Sequence, residues 1–296
     1  EVAVGQAVAK GQVLLVLESM KMEVPIEADA TAVVEAVFVA VGDAVSEGVE
    51  LVRLRRTAEG PAAVVAAAEA AVPMHLPRAD LQRLQDRQAL LRDEARPEAM
   101  ARRHASGLRS ARENVADLLD PASFNEYGAF AVAAQRSRRS LDDLQRNTPA
   151  DGLITGTGCV EGRPVAVLAY DYTVLAGTQG MNNHAKSDRL LDLAARQRLP
   201  IVWFMEGGGG RPGDVDSPKV AGLHCTTFGQ FAALSGVVPR IGVVAGRCFA
   251  GNAALLGSSN VIIAVEGASI GMGGPAMIEG GGLGKVDADA VGPVPV

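Results

Sequence analysis

Between residues 55 and 78 the chain gives up the large side chains that a core requires. The tract "RRTAEGPAAVVAAAEAAVPMHLPR" is mostly alanine, valine, glutamate, arginine and proline. Such a composition behaves as a semi-extended tether, within which "AAVVAAAEAA" can turn helical transiently. The chain is therefore expected to form two separate bodies, residues 1–54 and 79–296, joined by a linker over 55–78. At 296 residues and 48% hydrophobic content, there is enough apolar surface for a core in the larger one. A net charge of −6 creates no field that draws in nucleic acid or an anionic membrane, so neither is expected as a partner. Three cysteines without any C-x-x-C spacing suggest neither a disulfide framework nor a zinc site and fit a reducing, cytoplasmic setting. The four histidines, His75, His104, His184 and His224, share no metal-ligand spacing, so no metal site is expected. The most apolar tract, residues 62–72, is interrupted by Glu69 and too short to span a bilayer. Because the sequence opens without methionine inside a strand-like pattern and stops at "VGPVPV", it reads as an internal piece of something longer.

Residues 1–54 are short valine-rich runs punctuated by Gly-Asp and Glu-Gly pairs, the pattern of a small β-domain. A two-residue hairpin between "VLLVLES" and "MEVPIEA" would put Lys21 at its tip, with Met20 and Met22 on either side. A solvated turn lysine is the ordinary explanation. The methionines favour another: two flexible apolar side chains at a turn make a surface on which a modifying enzyme or an attached ring can pack.

Beyond the tether, "ADLQRLQDRQALLRDEA" has its leucines at helical spacing and ends near Pro97. Arg102, Arg103, Arg109 and Arg112 follow at helical spacing and read as a solvated face. From about residue 150, apolar strand-like runs alternate with helical ones, which predicts βα units covered on both faces. The runs entered by "LPIV" at 199 and "VPRIGVV" at 238 each end in a glycine-bearing turn, a loose repeat of about forty residues.

The motif "ESMKMEV", followed by "GDAVSEGVELV", resembles the biotinyl carrier domain of biotin-dependent carboxylases, with Ser19 where alanine is more usual. The resemblance implies a flattened all-β barrel of the biotinyl/lipoyl type, with biotin amide-linked to Lys21 and Met20 and Met22 as its recognition surface. It also places the first strand of that barrel before Glu1. The stretches "RRHASGLRSARENVADLLDPASFNEYG" and "GLITGTGCVEGRPVAVLAYDYTVLAGTQG" are similar to the start of an acyl-CoA carboxyltransferase domain of the acetyl-CoA and propionyl-CoA carboxylase kind. That resemblance implies an α/β crotonase-type spiral of ββα units over 79–296. It also implies proton removal alpha to an acyl-CoA thioester and attack of the enolate on CO2 from carboxybiotin.

An enolate needs donors aimed at the thioester oxygen, and two glycine-bearing turns could supply them. In "MEGGGGRPGD", Gly208 and Gly209 match the glycine pair of the family's Ser-Gly-Gly-Ala-Arg and Arg211 its arginine, while Gly207 and Gly210 replace Ser and Ala; a plain flexible loop is the alternative. In "AGRCFAGNAALLG" the family's Gly-Gly pair falls on Ala250 and Gly251, so Gly251 is expected as a donor, assisted by Ala250 or Asn252. The alternative there is a glycine that lets a helix pack closely. Gly273, Gly274 and Pro275 resemble the family's Gly-Pro turn beside the acyl-CoA site. His184 begins a family-like helix near that site, where a capping or surface role is expected. Hydration of an enoyl thioester is disfavoured, because the positions of the two hydratase glutamates are Ala254 and Ala276.

By resemblance, then, this is a carboxyl-transferring piece of a multidomain biotin-dependent acyl-CoA carboxylase, inactive alone. The implied partners are a biotin carboxylase unit using ATP, bicarbonate and Mg, the C-terminal carboxyltransferase half, biotin protein ligase and further copies in an oligomer. A biotin-dependent decarboxylase or transcarboxylase, or a non-catalytic carrier and assembly module, are the competing readings.

Overall fold

The computed structural model describes residues 2–19, 22–56, 78–216 and 225–295. They divide into two compact units, Glu1–Arg78 and Ala79–Val296. Met20 and Lys21, most of the tether, His75 and His224 lie outside the described residues.

In the first unit, β1 (Ala7–Val8), β4 (Ala32–Val37) and β5 (Val52–Arg56) form one antiparallel sheet with β4 in the centre. Strands β2 (Val13–Ser19) and β3 (Met22–Glu27) form a separate antiparallel hairpin in which Ser19 opposes Met22. Val8, Leu14, Ala28, Ala32 and Val34 are buried together as a small core. Among the described residues no strand pairing joins the two sheets, and Val13, Val16 and Val24 on the hairpin are exposed.

The second unit begins with α1 (Ala79–Ala89), α2 (Pro97–Ala105) and α3 (Ala111–Leu118). Helix α1 buries none of its residues, so its leucine stripe is not a core face. Helix α3 starts where Ser110 and Glu113 form a reciprocal capping box, which satisfies two otherwise orphaned N–H groups. Then come β6 (Asn125–Glu126), α4 (Leu141–Asn147), β7 (Leu153–Val160), β8 (Arg163–Tyr170), α5 (Met181–Gln197), β9 (Ile201–Phe204) and α6 (Thr227–Ala233). The described chain closes with β10 (Arg240–Val244), β11 (Arg247–Phe249), α7 (Gly251–Gly257), β12 (Val261–Ala264), β13 (Ser269–Gly271) and α8 (Pro275–Gly280).

The main sheet has the order β12-β10-β9-β8-β7-β6, parallel from β12 to β8 and antiparallel thereafter. Parallel strands need both faces covered, which is why β8 reads as an unbroken apolar run. Trp203 is fully buried, stacked 5.8 Å from Tyr170 and edge-on to Phe231 at 5.3 Å, at the centre of the larger core. Helix α5 supplies Leu190, Leu191 and Ala194 to that core from one face, and Arg198 in the left-handed conformation ends it ahead of Pro200.

A second, shorter tier of strands lies past the ends of the parallel ones. Strands β11 and β13 pair in parallel, Gly207 bridges to Cys248, and Gln179 bridges to Gly210. Each repeat therefore runs strand, corner, short strand, helix: β8 to 179 to α5, β9 to 207–210 to α6, β10 to β11 to α7, and β12 to β13 to α8. The forty-residue repetition in the sequence is two steps of this spiral.

Candidate active site

The glycine loop is a strand of the second tier with one reversed peptide. Gly207 donates its N–H to Arg247 O at 2.8 Å and accepts from Phe249 N at 2.8 Å, which faces it towards β11. Gly208 N–H faces the other way and reaches Ala176 O at 3.2 Å. At Gly209 the backbone turns to φ +84°, a conformation that L side chains rarely adopt. Its N–H meets Asn252 Oδ1 at 3.0 Å while its C=O receives Gln179 N at 2.7 Å on the opposite side. Because N–H and C=O of one peptide point apart, the N–H of Gly210 is turned back towards the β11–α7 side. There it has no acceptor among the described residues, and Gly210 is exposed.

The facing turn carries Ala250, Gly251 and Asn252. Ala250 N–H is bonded to Gly271 O at 2.9 Å. Gly251 and Asn252 open α7, and as first-turn residues their N–H groups find no acceptor in the described chain. The two turns touch: a Cβ on Gly209 would lie 3.3 Å from Gly251 N and 2.5 Å from Ala250 Cβ. A Cβ on Gly251 would strike Gln179 Oε1 and come within 3.3 Å of Phe228 Cζ.

These contacts sort the expected donors by whether the fold already uses their N–H groups. The N–H groups of Ala250, Gly208 and Gly209 are bonded within the fold, whereas those of Gly210, Gly251 and Asn252 find no acceptor among the described residues. In the family's Ser-Gly-Gly-Ala-Arg pattern Gly210 stands only where alanine is usual. Its availability follows from the flipped peptide at Gly209, and a run of four glycines is the only trace of that in the sequence.

Asn252 has a second use. Its fully buried carboxamide receives Gly209 N–H and donates to Glu206 O at 3.0 Å and Gly177 O at 3.3 Å, tying the two turns into one piece. Arg211 performs a similar task on the far side of the loop. Its guanidinium bonds Asp151 Oδ1 at 2.5 Å, Thr178 O at 2.8 Å and Thr178 Oγ1 at 3.1 Å. Asp151 is fully buried, so burial pushes its carboxyl pKa up while Arg211 draws it back. Removing one partner of a buried pair strands the other charge, at a typical cost of about 3–5 kcal/mol. Arg211→Met is therefore expected to lower stability by about that amount, measured as the shift of the urea unfolding midpoint of the second unit.

Ala250 sits at φ 52°, ψ −121°, a region sparsely populated by residues with a Cβ. Strain of this kind costs about 1–3 kcal/mol and clusters at functional turns. Ala250→Gly, which restores the glycine pair of the family motif, is expected to raise the melting temperature by a few degrees, at about 2–4 °C per kcal/mol for a body of this size. A calorimetric scan of the two proteins checks it.

The remaining expected residues fall into place unevenly. Gly274 caps α8 and a Cβ there would lie 3.7 Å from Phe249 Cδ2, so the Gly273–Gly274–Pro275 turn lies against the residue preceding Ala250. Lys21 and Met20 lie outside the described residues, and Met22 begins β3. The arginine stretch is not a uniformly solvated face. Arg103 is buried against Glu206 at 2.6 Å, and Arg112 pairs with Glu126 at 3.0 Å. Burial raises the Glu206 carboxyl pKa and, with Glu206 nearby, pushes the Cys248 thiol up to about 12. Among the described residues no three His, Cys, Asp or Glu side chains are placed to hold a metal ion, and no helix is long and apolar enough to cross a membrane.

Residues 102–291 match the family model of the carboxyl transferase domain. The chain belongs to the carboxyl transferase family. Residues 1–54 of the chain match a second model, that of biotin-requiring enzymes. It is similar to the methylmalonyl-CoA carboxyltransferase 12S subunit of Propionibacterium freudenreichii subsp. shermanii, 34% identical over 64% of this chain and 36% of that protein. It also resembles the biotin-dependent long chain acyl-coenzyme A carboxylase beta4 subunit of Mycobacterium tuberculosis, 31% identical over 65% of this chain and 35% of the relative. Among solved structures, a single-chain, multi-domain long-chain acyl-CoA carboxylase superposes with a TM-score of 0.70 at 51% identity, covering 99% of this chain and 28% of that one. The chain spans about a third of the length of the curated relatives it matches. A strand-rich biotin-requiring domain followed by a crotonase-type carboxyl transferase domain is thus the architecture of the chain.

Proposed function

We propose that the second unit binds an acyl-CoA thioester with its carbonyl oxygen on the N–H groups of Gly210 and Gly251, and promotes carboxyl transfer to the α-carbon through an enolate. The observation that carries this reading is that the N–H groups of Gly210 and Gly251, on two abutting turns and both on the β11–α7 side, find no acceptor among the described residues. Loss of the α-proton moves negative charge onto the thioester oxygen, and fixed donors stabilise that charge without reorganising; one such donor is typically worth about 3 kcal/mol of barrier. Asn252 and Arg211 act as positioning residues, holding the glycine loop in register with the Gly251 turn. Alanines at 254 and 276 put no side-chain acid or base at the two hydratase positions, which suits carboxyl transfer and not hydration.

The first unit is read as the carrier. The Ser19–Met22 register leaves two residues between β2 and β3, and the sequence puts Lys21 in that interval. Biotin amide-linked to Lys21 supplies, when bound, the carboxyl group and the ureido nitrogen that takes up a proton. Residues 55–78 serve as the linker. The reading further includes a cytoplasmic, oligomeric ligase with a biotin carboxylase unit consuming ATP and bicarbonate with Mg, a second carboxyltransferase half and biotin protein ligase as the modifying enzyme. It also predicts that the isolated chain does not complete the transfer. The test uses the complete protein: with ATP and labelled bicarbonate, acyl-CoA should become carboxylated. A folded, biotinylated protein that binds no acyl-CoA in calorimetry would sink the proposal.

A further inference from the structure

One buried cation has no place in the contacts described above. Lys186 is buried on α5, and among the described residues its Nζ bonds two main-chain oxygens, Ala150 O at 2.8 Å and Leu153 O. Lysine is seldom buried without a carboxylate bonded to it, so these two carbonyls are what the side chain is placed to reach. Gly128 leaves room for its stem: a Cβ there would lie 3.0 Å from both Cγ and Cε of the lysine. Burial, with a smaller contribution from Arg112, draws the Lys186 pKa down to about 8 against the pull of Glu126 and Asp151. Ammonium and amine alike keep enough N–H groups for two acceptors.

The two oxygens bracket a turn that is poorly able to hold itself. Ala150, Asp151 and Gly152 follow one another at φ 53°, 51° and 69°. Left-handed backbone is costly for a residue with a Cβ, and two such residues in a row persist only where their surroundings over-determine them. Lys186 spans the turn from Ala150 O to Leu153 O, with Asp151 in between.

The Asp151 carboxylate divides its oxygens between two neighbours. Oδ2 accepts from Asn183 N–H at 2.8 Å, and Oδ1 accepts from Arg211 Nη1 at 2.5 Å. Arg211 follows Gly210 directly in the chain, and its own N–H is bonded to Gln179 O at 2.8 Å. The setting of Gly210 thus depends on Arg211, Arg211 on Asp151, and Asp151 on a turn that Lys186 holds in shape.

We propose that Lys186 is a positioning residue for the donor pair of Gly210 and Gly251, acting through Asp151 and Arg211. The inference rests on the reading of those two N–H groups as the donors to the thioester oxygen. Without Nζ the turn loses the side chain that spans it, and the Asp151 carboxylate moves off the line of the Arg211 guanidinium. The glycine loop keeps its fold but loses register with the Gly251 turn. Because the charge that needs this register develops only in the transition state, the loss falls on turnover and not on acyl-CoA binding.

The test measures acyl-CoA carboxylation by the complete protein with ATP and bicarbonate. Lys186→Met, which keeps an unbranched stem but has no N–H, should lower kcat roughly 10- to 100-fold and leave KM for acyl-CoA within about two-fold. Gly128→Ala, which pushes on the same stem from its other side, should lower kcat by about three- to ten-fold, again with KM unchanged. Gly251→Ala is measured alongside, and melting temperatures report whether each variant is folded. A folded Lys186→Met protein with wild-type kcat, or with its loss confined to KM, overturns the inference. If Lys186→Met does not fold, Gly128→Ala decides by the same criterion. Should a folded Gly251→Ala protein keep full turnover, the donor reading fails and this inference falls with it. Should Gly251→Ala lose turnover while the other two variants keep it, the donor reading stands and the role of Lys186 alone is overturned.

Discussion

A Lys21→Ala chain produced with a biotin ligase should give no signal on a streptavidin blot, where the unsubstituted chain gives a strong one. The effect is all or none because an amide to biotin needs a primary amine, and alanine offers none. The hairpin should survive, since the Ser19–Met22 register and the Val8–Leu14–Ala28–Ala32–Val34 core do not include residue 21. Circular dichroism therefore ought to be unchanged while labelling disappears. Lys10 is the control: it lies in the same unit, outside "ESMKMEV", and Lys10→Ala should leave labelling intact. Persistent biotin on the Lys21→Ala chain would move the attachment point elsewhere and remove the carrier reading of the first unit.

Gly251→Ala should lower kcat/KM for acyl-CoA carboxylation by the complete protein about 100-fold, equivalent to about 3 kcal/mol of transition-state stabilisation. A methyl group at 251 meets Gln179 Oε1 and Phe228 Cζ, so the turn must shift and carry its N–H off the thioester oxygen. Helix propensity works in the opposite direction, because alanine is favoured over glycine within a helix by about 1 kcal/mol. Gly257→Ala separates the two effects. Gly257 ends the same helix with nothing within 4 Å of an added Cβ, and its substitution should leave turnover within about two-fold of wild type. If Gly251→Ala keeps full activity and melts normally, Gly251 is not a donor.

Much of the architecture could be read from the chain because it depends on local signals. Unbroken apolar runs such as "RPVAVLAY" mark strands covered on both faces, and the stripe of Leu190, Leu191 and Ala194 marks the inner side of α5. The identity of the donors was less legible. Which glycine N–H is available depends on φ at Gly209 and on acceptors at residues 176 and 252, and no spacing rule connects these positions. Distant ion pairs were hidden for the same reason: Arg103 and Glu206 are 103 residues apart, and Arg211 and Asp151 are 60 apart. Arginines at helical spacing look solvated until the opposing carboxylates are known. Helix α1 shows the converse: Leu81 and Leu84 have the right period, yet both are exposed among the described residues. Periodicity reports which residues share a face, whereas burial depends on what stands opposite.

Strand β12 closes the parallel end of the main sheet with the sequence "VIIA", and Val261, Ile262 and Ile263 are each about half exposed. Side chains alternate across a strand, so these residues leave both faces greasy, and among the described residues no strand pairs with the outer row of N–H and C=O groups. No lysine, proline or bulge blunts this edge. Handled on its own, the chain should therefore be prone to colloidal instability, with two copies zipping together along residues 261–264 as concentration rises. Salt will not prevent it, because the strand bears no charge to screen; low protein concentration or a single charged residue at Ile262 will.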